Sequence, residues 1–442
     1  MKSTSPMLMA TLILMLITTP VVAGEYYTLC EGNYGQANSA LWSINDDLSG
    51  TEGPLVWNTS TNPLGDVGQS LTLYGHKLYI IMNNSHEIRV LNLENGPTHV
   101  GDIDVPNTSP RYMAVQPSMA RAFVSSWNLA GLLIIDLSTD TVVDTCLLGG
   151  LPEQLLIDDD KLFVSMTMHL DWTANNQVLQ LDISAPEPSV VESYQVIDGP
   201  GSMALTENDL FVTSLYYNDA WETFSGTSRI DLLTGDILAV DHGYYTNYTA
   251  DIQIVNGTPY RPYGNTLVLL NDDLDINTSA SMGDFSNMYA FVALNDHLII
   301  GSSDFVAPDL VQVFSINGQE LGSFNVGALP GDFVYYNPDV VALSDEPELP
   351  VSMILGNAYP NPFNPSTSIP FKLNVAGQTA LRIYNVQGQL VKALLNSKLD
   401  QGKYKLQWNG THSSGQLAPS GIYLAVLSTA SGESVIKLNL IR

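Results

Sequence analysis

Cysteine is nearly absent, with two in 442 residues, which excludes a disulfide-dense scaffold. Cys30 and Cys146 allow one bridge at most, and spacing alone leaves a bridge and two free thiols equally open. Bases are scarce as well: 16 Lys and Arg face 45 Asp and Glu, for a net charge of −29. Such a body repels phosphate backbones and anionic membranes, so nucleic acid is not an expected partner. Beyond residue 23 no apolar run approaches the roughly 20 residues that a bilayer span needs, so the mature chain is expected to carry no transmembrane segment. HExxH, GxSxG, Walker and dinucleotide fingerprints are all missing, and the seven His are scattered. No catalytic residue and no zinc site are therefore expected.

What is present begins with an export signal. Met1 to Ala23 combines Lys2, an apolar run from Met7 to Ile17 and the small-residue end Val21-Val22-Ala23, which reads as a secretory signal peptide over 1–23. The charge then divides the chain. Residues 352–442 hold eight Lys and Arg against two acids, whereas the rest of the mature chain holds seven bases against forty-three acids. Two different bodies are joined, with the acidic, Pro-bearing stretch SDEPELPV between them as linker over 344–352.

The acidic body, 24–343, is repetitive. Leu78-Tyr79-Ile80 recurs as Ala122-Phe123-Val124, Leu162-Phe163-Val164, Leu210-Phe211-Val212 and Leu298-Ile299-Ile300, at intervals of 44, 40, 48 and 88 residues. A weaker copy at Leu267-Val268-Leu269 fills the double interval, and Tyr26-Tyr27-Thr28 precedes the series, which makes seven. Each copy runs into a second apolar strand ending in an acid, as in Leu133-Ile134-Ile135-Asp136, then a turn, a third strand, and a Pro-led run such as Pro110 to Val115 or Pro330 to Tyr335. Short β-branched and aromatic runs between Gly, Asn and Asp are hairpin signals, and four per 40 to 45 residues is the rhythm of a β-propeller blade. The stretch Ala122 to Gly149 reads as one blade, the third. The expected class is all-β, a seven-bladed propeller closed into a ring so that no sheet edge is left open.

The order "LFVS … LIIDLSTDTVVDT … P … LLI" resembles the YVTN-type repeats of bacterial surface-layer and related secreted propellers over about residues 25–340. That resemblance implies a fold and little about activity. Past the linker, alternating runs such as Ala380 to Asn385 and Ile422 to Leu427 predict a small immunoglobulin-like sandwich over 353–442. Its motifs are Tyr359-Pro360-Asn361-Pro362-Phe363-Asn364-Pro365, then Gly388, Gly402, Trp408, Gly421 and Tyr423, in that order. They resemble the type A C-terminal sorting domain of the bacterial type IX secretion system, a likeness shared with the Ig-like domain of flagellar hook-capping proteins. The resemblance implies passage through periplasm and outer membrane by that machinery, and a secreted or cell-surface destination.

Candidate ligand residues lie in irregular, aromatic insertions: His169, Asp171 and Trp172; Tyr216, Tyr217 and Trp221; Tyr245 and Tyr248; Tyr260, Arg261 and Tyr263. Rings beside acids and amides could stack a sugar or grip a protein segment if their loops share a rim, or could close the packing between unequal blades. No cofactor is expected. Calcium is the one metal the pattern admits, with Asp273, Asp275, Asn277 and Asp284 supplying oxygen at spaced positions, although Thr278 stands where an EF-hand needs Gly. The expectation is a binding or interaction propeller without catalysis, delivered outside by its C-terminal domain. The alternative is a propeller-type hydrolase or lactonase with a divalent metal held by carboxylates at the central channel.

Overall fold

The computed structural model describes residues 24–57, 62–246, 249–338, 353–355, 358, 360–373, 376–400, 402–429 and 432–441. The signal peptide, the 344–352 linker, Tyr248 and Tyr359 lie outside the described residues. The chain divides into two units, Met1–Ala342 and Leu343–Arg442.

Among the described residues the first unit holds seven four-stranded antiparallel sheets. Their innermost strands are Pro330–Tyr336, Gly68–Tyr74, Pro110–Gln116, Leu151–Asp158, Pro200–Leu205, Gln253–Val255 and Met288–Leu294. These touch in cyclic order, the last packing against Pro330–Tyr336 and that strand in turn against Gly68–Tyr74. The ring is closed by its two ends. Glu25–Cys30 from the N-terminus pairs with Pro330–Tyr336, Tyr26 opposite Tyr335 and Thr28 opposite Phe333, so the first blade is built from both ends of the unit.

The second strands of most blades are buried on both faces, which explains their apolar runs, whereas the outermost strands are largely exposed. In Lys77–Met82, Leu78, Ile80 and Met82 pack with Tyr27, Leu29 and Leu41 of the first blade. The alternate residues Tyr79 and Ile81 pack with Ala122, Val124 and Leu133 of the third. Period-two alternation thus sends successive side chains to opposite neighbours, and one apolar cluster forms at each junction of the ring.

Two sequence expectations are corrected by the strand boundaries. Ala122 to Gly149 is three-quarters of the third blade, because the inner strand Pro110–Gln116 belongs to the same sheet. Leu267-Val268-Leu269 lies in the third strand of its blade, Thr266–Leu270, and the position equivalent to Leu78-Tyr79-Ile80 is the strand Thr258–Tyr263. Two prolines and an arginine in that strand break the apolar signature on which the alignment rests.

The second unit is a sandwich of a three-stranded sheet, ordered Met353–Leu355, Thr367–Leu373, Gly402–Trp408, and a four-stranded one, ordered Leu390–Leu399, Gly377–Asn385, Gly421–Thr429, Gly432–Leu440. Trp408 is fully buried at its centre, 5.4 Å from Phe363 and 5.0 Å from Tyr423 between ring centroids. Asn361 accepts from the amide of Asn439 at 2.7 Å and donates to the carbonyl of Lys437 at 2.8 Å, tying the Pro-Asn-Pro segment to the last strand. Gly388 takes a left-handed φ of 76° at a hairpin turn, where a Cβ is disfavoured. The motif residues Asn361, Phe363, Gly388, Trp408 and Tyr423 are therefore the sandwich's own framework.

Among the described residues no helix is long and apolar enough to cross a membrane.

Candidate functional site at the hairpin end of the propeller

In each antiparallel sheet the inner strand begins where the second strand ends, as the pairs Pro110 with Ser126 and Pro200 with Ser214 show. The connections from second to third strand therefore lie at the same end of the ring as the starts of the inner strands. That end carries both the mouth of the central channel and the aromatic hairpins.

The mouth is lined by a hydrogen-bonded girdle crossing the junctions between blades. The amide of Leu71 donates to Asp332 Oδ2 at 2.7 Å. Arg111 donates to Gln69 on one side and to Glu153 Oε1 on the other, at 2.5 Å in the latter case. The amide of Met203 donates to Gln154, that of Ile252 to Ser202 Oγ at 3.2 Å, and that of Phe291 to Asp251 Oδ2 at 3.4 Å. At the remaining junction Tyr289 stands beside Glu31, each influencing the other's protonation. The residues come from the first four positions of the inner strands or, for Asp251 and Ile252, from just before one, with Glu31 just past the strand Glu25–Cys30.

Charge at the mouth is unbalanced. Burial works against the Arg111 cation, but Glu153 more than offsets it and the guanidinium stays charged. Its plane lies 4.3 Å from the centroid of Trp127, whose indole N–H donates to Glu153 Oε2 at 3.0 Å. Glu31, Asp251 and Asp332 have no cation of their own. Burial pushes Glu31 up to about 7 against the opposing influence of Tyr289, and pushes Asp332 up to about 7 against the amides of Leu71 and Phe333. It raises Asp251 as well. Gly331 makes room for Glu31, since a Cβ there would stand 2.6 Å from Glu31 Oε1.

Of the sequence-predicted residues, Trp172 reaches this mouth. Its ring meets Trp127 edge-on at 5.9 Å, extending the Arg111–Glu153–Trp127 group to the surface. His169 and Asp171 are exposed in the same hairpin, whose amide of His169 donates to Thr173 O at 2.8 Å and that of Trp172 to His169 O at 3.0 Å. The next blade repeats the geometry: Asn218 N to Glu222 O at 3.1 Å and Trp221 N to Asn218 O at 2.9 Å. Trp221 is 82% exposed, with Tyr217 beside it at 6.2 Å. Tyr216 turns inward, stacks on Phe224 and donates to Asp241 at 2.7 Å; burial, then Asp241, pushes its hydroxyl up to about 12.

Three of the remaining candidates stand in a strand rather than a loop. Tyr260, Arg261 and Tyr263 lie in the strand Thr258–Tyr263, and Tyr263 is the partly exposed one. Arg261 is fully buried, donating to Gly226 O, Thr227 Oγ1 and Ser225 Oγ of the fifth blade while packing on Tyr245. Tyr245 is buried too, and its hydroxyl donates to Thr249 O at 2.6 Å. Arg261 and Tyr245 thus serve the packing between unequal blades, joining the fifth to a sixth whose inner strand has only three residues.

The oxygen ladder is not assembled into a metal site. Asp273 and Asp275 precede the strand Ile276–Met282, Asn277 lies in it and Asp284 follows it. Asp273 Oδ1 and Asn277 Oδ1 instead accept backbone amides, from Asp275 and Ser279. Among the described residues no group of three or more His, Cys, Asp or Glu is placed to hold a metal ion, at the channel or elsewhere. The bridge is corrected likewise. Cys30 and Cys146 are both free thiols, in the first and third blades.

The girdle was missed in the sequence, although a signal existed. A polar residue follows closely on the Pro that opens several inner strands: Arg111 after Pro110, Glu153 after Pro152, Ser202 after Pro200 and Asp332 after Pro330.

A closed ring of four-stranded blades with a polar mouth defines a β-propeller, and solved structures agree on the fold. A protein from Lactobacillus plantarum superposes with a TM-score of 0.54 at 12% identity, covering 71% of this chain and all of its own. A functionally unknown protein from Desulfotomaculum acetoxidans gives 0.52 at 13%, covering 72% and 100%. The periplasmic gluconolactonase of Pseudomonas aeruginosa gives 0.50 at 13%, covering 70% and 99%. Residues 362–433 match the FlgD Ig-like domain. No curated protein matches the sequence.

Proposed function

We propose that this chain is an exported binding propeller, carried out by the Sec route and then by the type IX secretion machinery, that takes its ligand on the hairpin end of the ring. The contact between Trp127 and Trp172 carries the binding half of this reading, because it links an exposed aromatic hairpin to the charged mouth in one continuous surface. The order of motifs from 359 to 442, on a domain matching the FlgD Ig-like fold, supports the export half. Of the motif residues Phe363, Trp408 and Tyr423 are buried in the sandwich core, whereas Pro360, Asn361, Pro362, Asn364 and Pro365 are exposed, so the machinery would read the Pro-Asn segment and the domain's surface rather than the buried rings. Two experiments test the proposal. Removal of 353–442 should strand the protein in the periplasm, and normal surface delivery without it would refute the sorting role. The purified propeller should cosediment with envelope material of the producing cells, and Trp172→Gly with Trp221→Gly should release it.

A second reading, hydrolysis of a lactone or phosphoester, is favoured by one observation: two buried carboxyls of the mouth, Glu31 and Asp332, are both raised to about 7. The likeness to a gluconolactonase at 13% identity carries the fold and no activity. Absence of turnover on a panel of both substrate types would eliminate it.

A further inference from the structure

The two hairpins 169–173 and 218–222 share one loop form, a pair of backbone hydrogen bonds with the fourth residue in the left-handed region: Trp172 at φ 67° and Trp221 at φ 61°. The same form recurs elsewhere in the chain, and there the fourth residue is Gly318, Gly388 or Gly415. Glycine is what this backbone prefers, because a Cβ crowds the neighbouring carbonyl. One further loop, 271–275, places Leu274 at this position, and its side chain is fully buried between the fifth and sixth blades, which offsets the strain. Trp172 and Trp221 have no such compensation, being 63% and 82% exposed. Adjacent blades therefore each hold an indole outward at a position that folding would give to glycine, and strain of that kind collects at ligand-binding sites.

We infer that Trp172 and Trp221 form a stacking platform for a neutral carbohydrate chain. This rests on the binding reading above and names its ligand class. Rigid, separate rings present flat apolar faces to the C–H faces of sugar rings, while acids and amides in the same loops, Asp171, Asn218 and Glu222, meet hydroxyl groups. Charge selects against anionic polymers. Lys77, Arg121 and Lys161 open second strands and Arg229 closes a third, which sets them at the opposite end of the ring. Arg261 is buried, Arg111 is neutralised by Glu153, and Arg89, near the start of its third strand, is paired with Glu87 and Asp102. Among the described residues the hairpin end thus offers carboxylates without an unpaired Lys or Arg, unsuited to sulfated, uronate or phosphate-bearing chains.

The test uses the full mature chain, with Trp172→Gly, Trp221→Gly and the double variant. Glycine suits the backbone at both places, so each variant should melt at or above the wild-type temperature. The probes are a soluble β-glucan, a xylan, a mannan and polygalacturonate, read by affinity electrophoresis and quenching of indole fluorescence. At least one neutral polysaccharide should bind and quench, with a loss of affinity of at least about tenfold in the double variant, while polygalacturonate should not bind. Failure of every neutral polysaccharide, equal binding of polygalacturonate, or unchanged affinity in the double variant would overturn the inference. Envelope binding that needs the two tryptophans but is destroyed by protease and survives periodate would overturn the carbohydrate class and leave the binding face standing. Envelope binding indifferent to both substitutions would overturn both.

Discussion

The amide of Leu71 donates to Oδ2 of Asp332 at 2.7 Å, joining the innermost strands of the first and second blades across 261 residues of sequence. This bond closes the channel girdle where the ring closes, and it is accepted by a carboxyl that burial has raised to about 7. Closure and proton binding are therefore linked.

Glu31 and Asp332 both hold their protons more tightly folded, at about 7, than in the unfolded chain, at ordinary values of 4.5 and 3.8. The stability they contribute is complete below about pH 4 and is lost as pH rises through about 7. Thermal melting of the propeller should fall between pH 5 and pH 8. In the Glu31→Gln, Asp332→Asn variant that fall should shrink by about 2–5 °C. Parallel slopes for both proteins would show that these carboxyls are not responsible.

Gly331 gives Glu31 its place, so Gly331→Ala should destabilise the fold by about 1–3 kcal/mol through overpacking. Glu31→Ala on that background should restore part of the loss, because the colliding carboxylate is gone. Denaturant titration of the single and double variants measures the coupling.

Arg111 and Glu153 form a largely buried pair with 17% and 13% of their side chains exposed. Glu153→Ala leaves the guanidinium uncompensated and removes the acceptor of Trp127, for an expected loss of about 3–5 kcal/mol. Replacing both, Arg111→Met with Glu153→Leu, should cost less than the single change. Chemical denaturation compares the two, and a costlier double variant would mean that the pair's net attraction outweighs its desolvation.

Two free cysteines make a chemical prediction. Without reductant, the denatured protein should titrate as two thiols. In the native state Cys30 should be silent, since it is fully buried and burial raises its thiol far above the usual range. A value of zero in denaturant would restore the bridge.

Much of the fold was legible because the second strands of most blades are buried on both faces. Leu78 to Met82 is apolar at every position and most copies keep three apolar residues in a row, so the repeat survives as a string of letters. The sixth blade was placed one strand out of register because its second strand carries Pro259, Arg261 and Pro262 where the others carry an apolar run. The candidate site was legible only in part. Trp172 and Trp221 stood out as aromatics in irregular hairpins, yet nothing local distinguishes them from Tyr245, which the structure buries.

The sequence alone determined the all-β class, the repeat, the immunoglobulin-like tail and the surplus of acid, since each is carried by local periodicity or composition. Only the tertiary structure decided which side chains meet. Arg111, Glu153, Asp332 and Glu31 are drawn together by ring closure, from positions as far apart as 31 and 332. The left-handed turns at Trp172 and Trp221 likewise depend on strand register, which fixes loop length and therefore backbone angle. Chain order encodes the strands; the closed ring places their polar ends around one mouth.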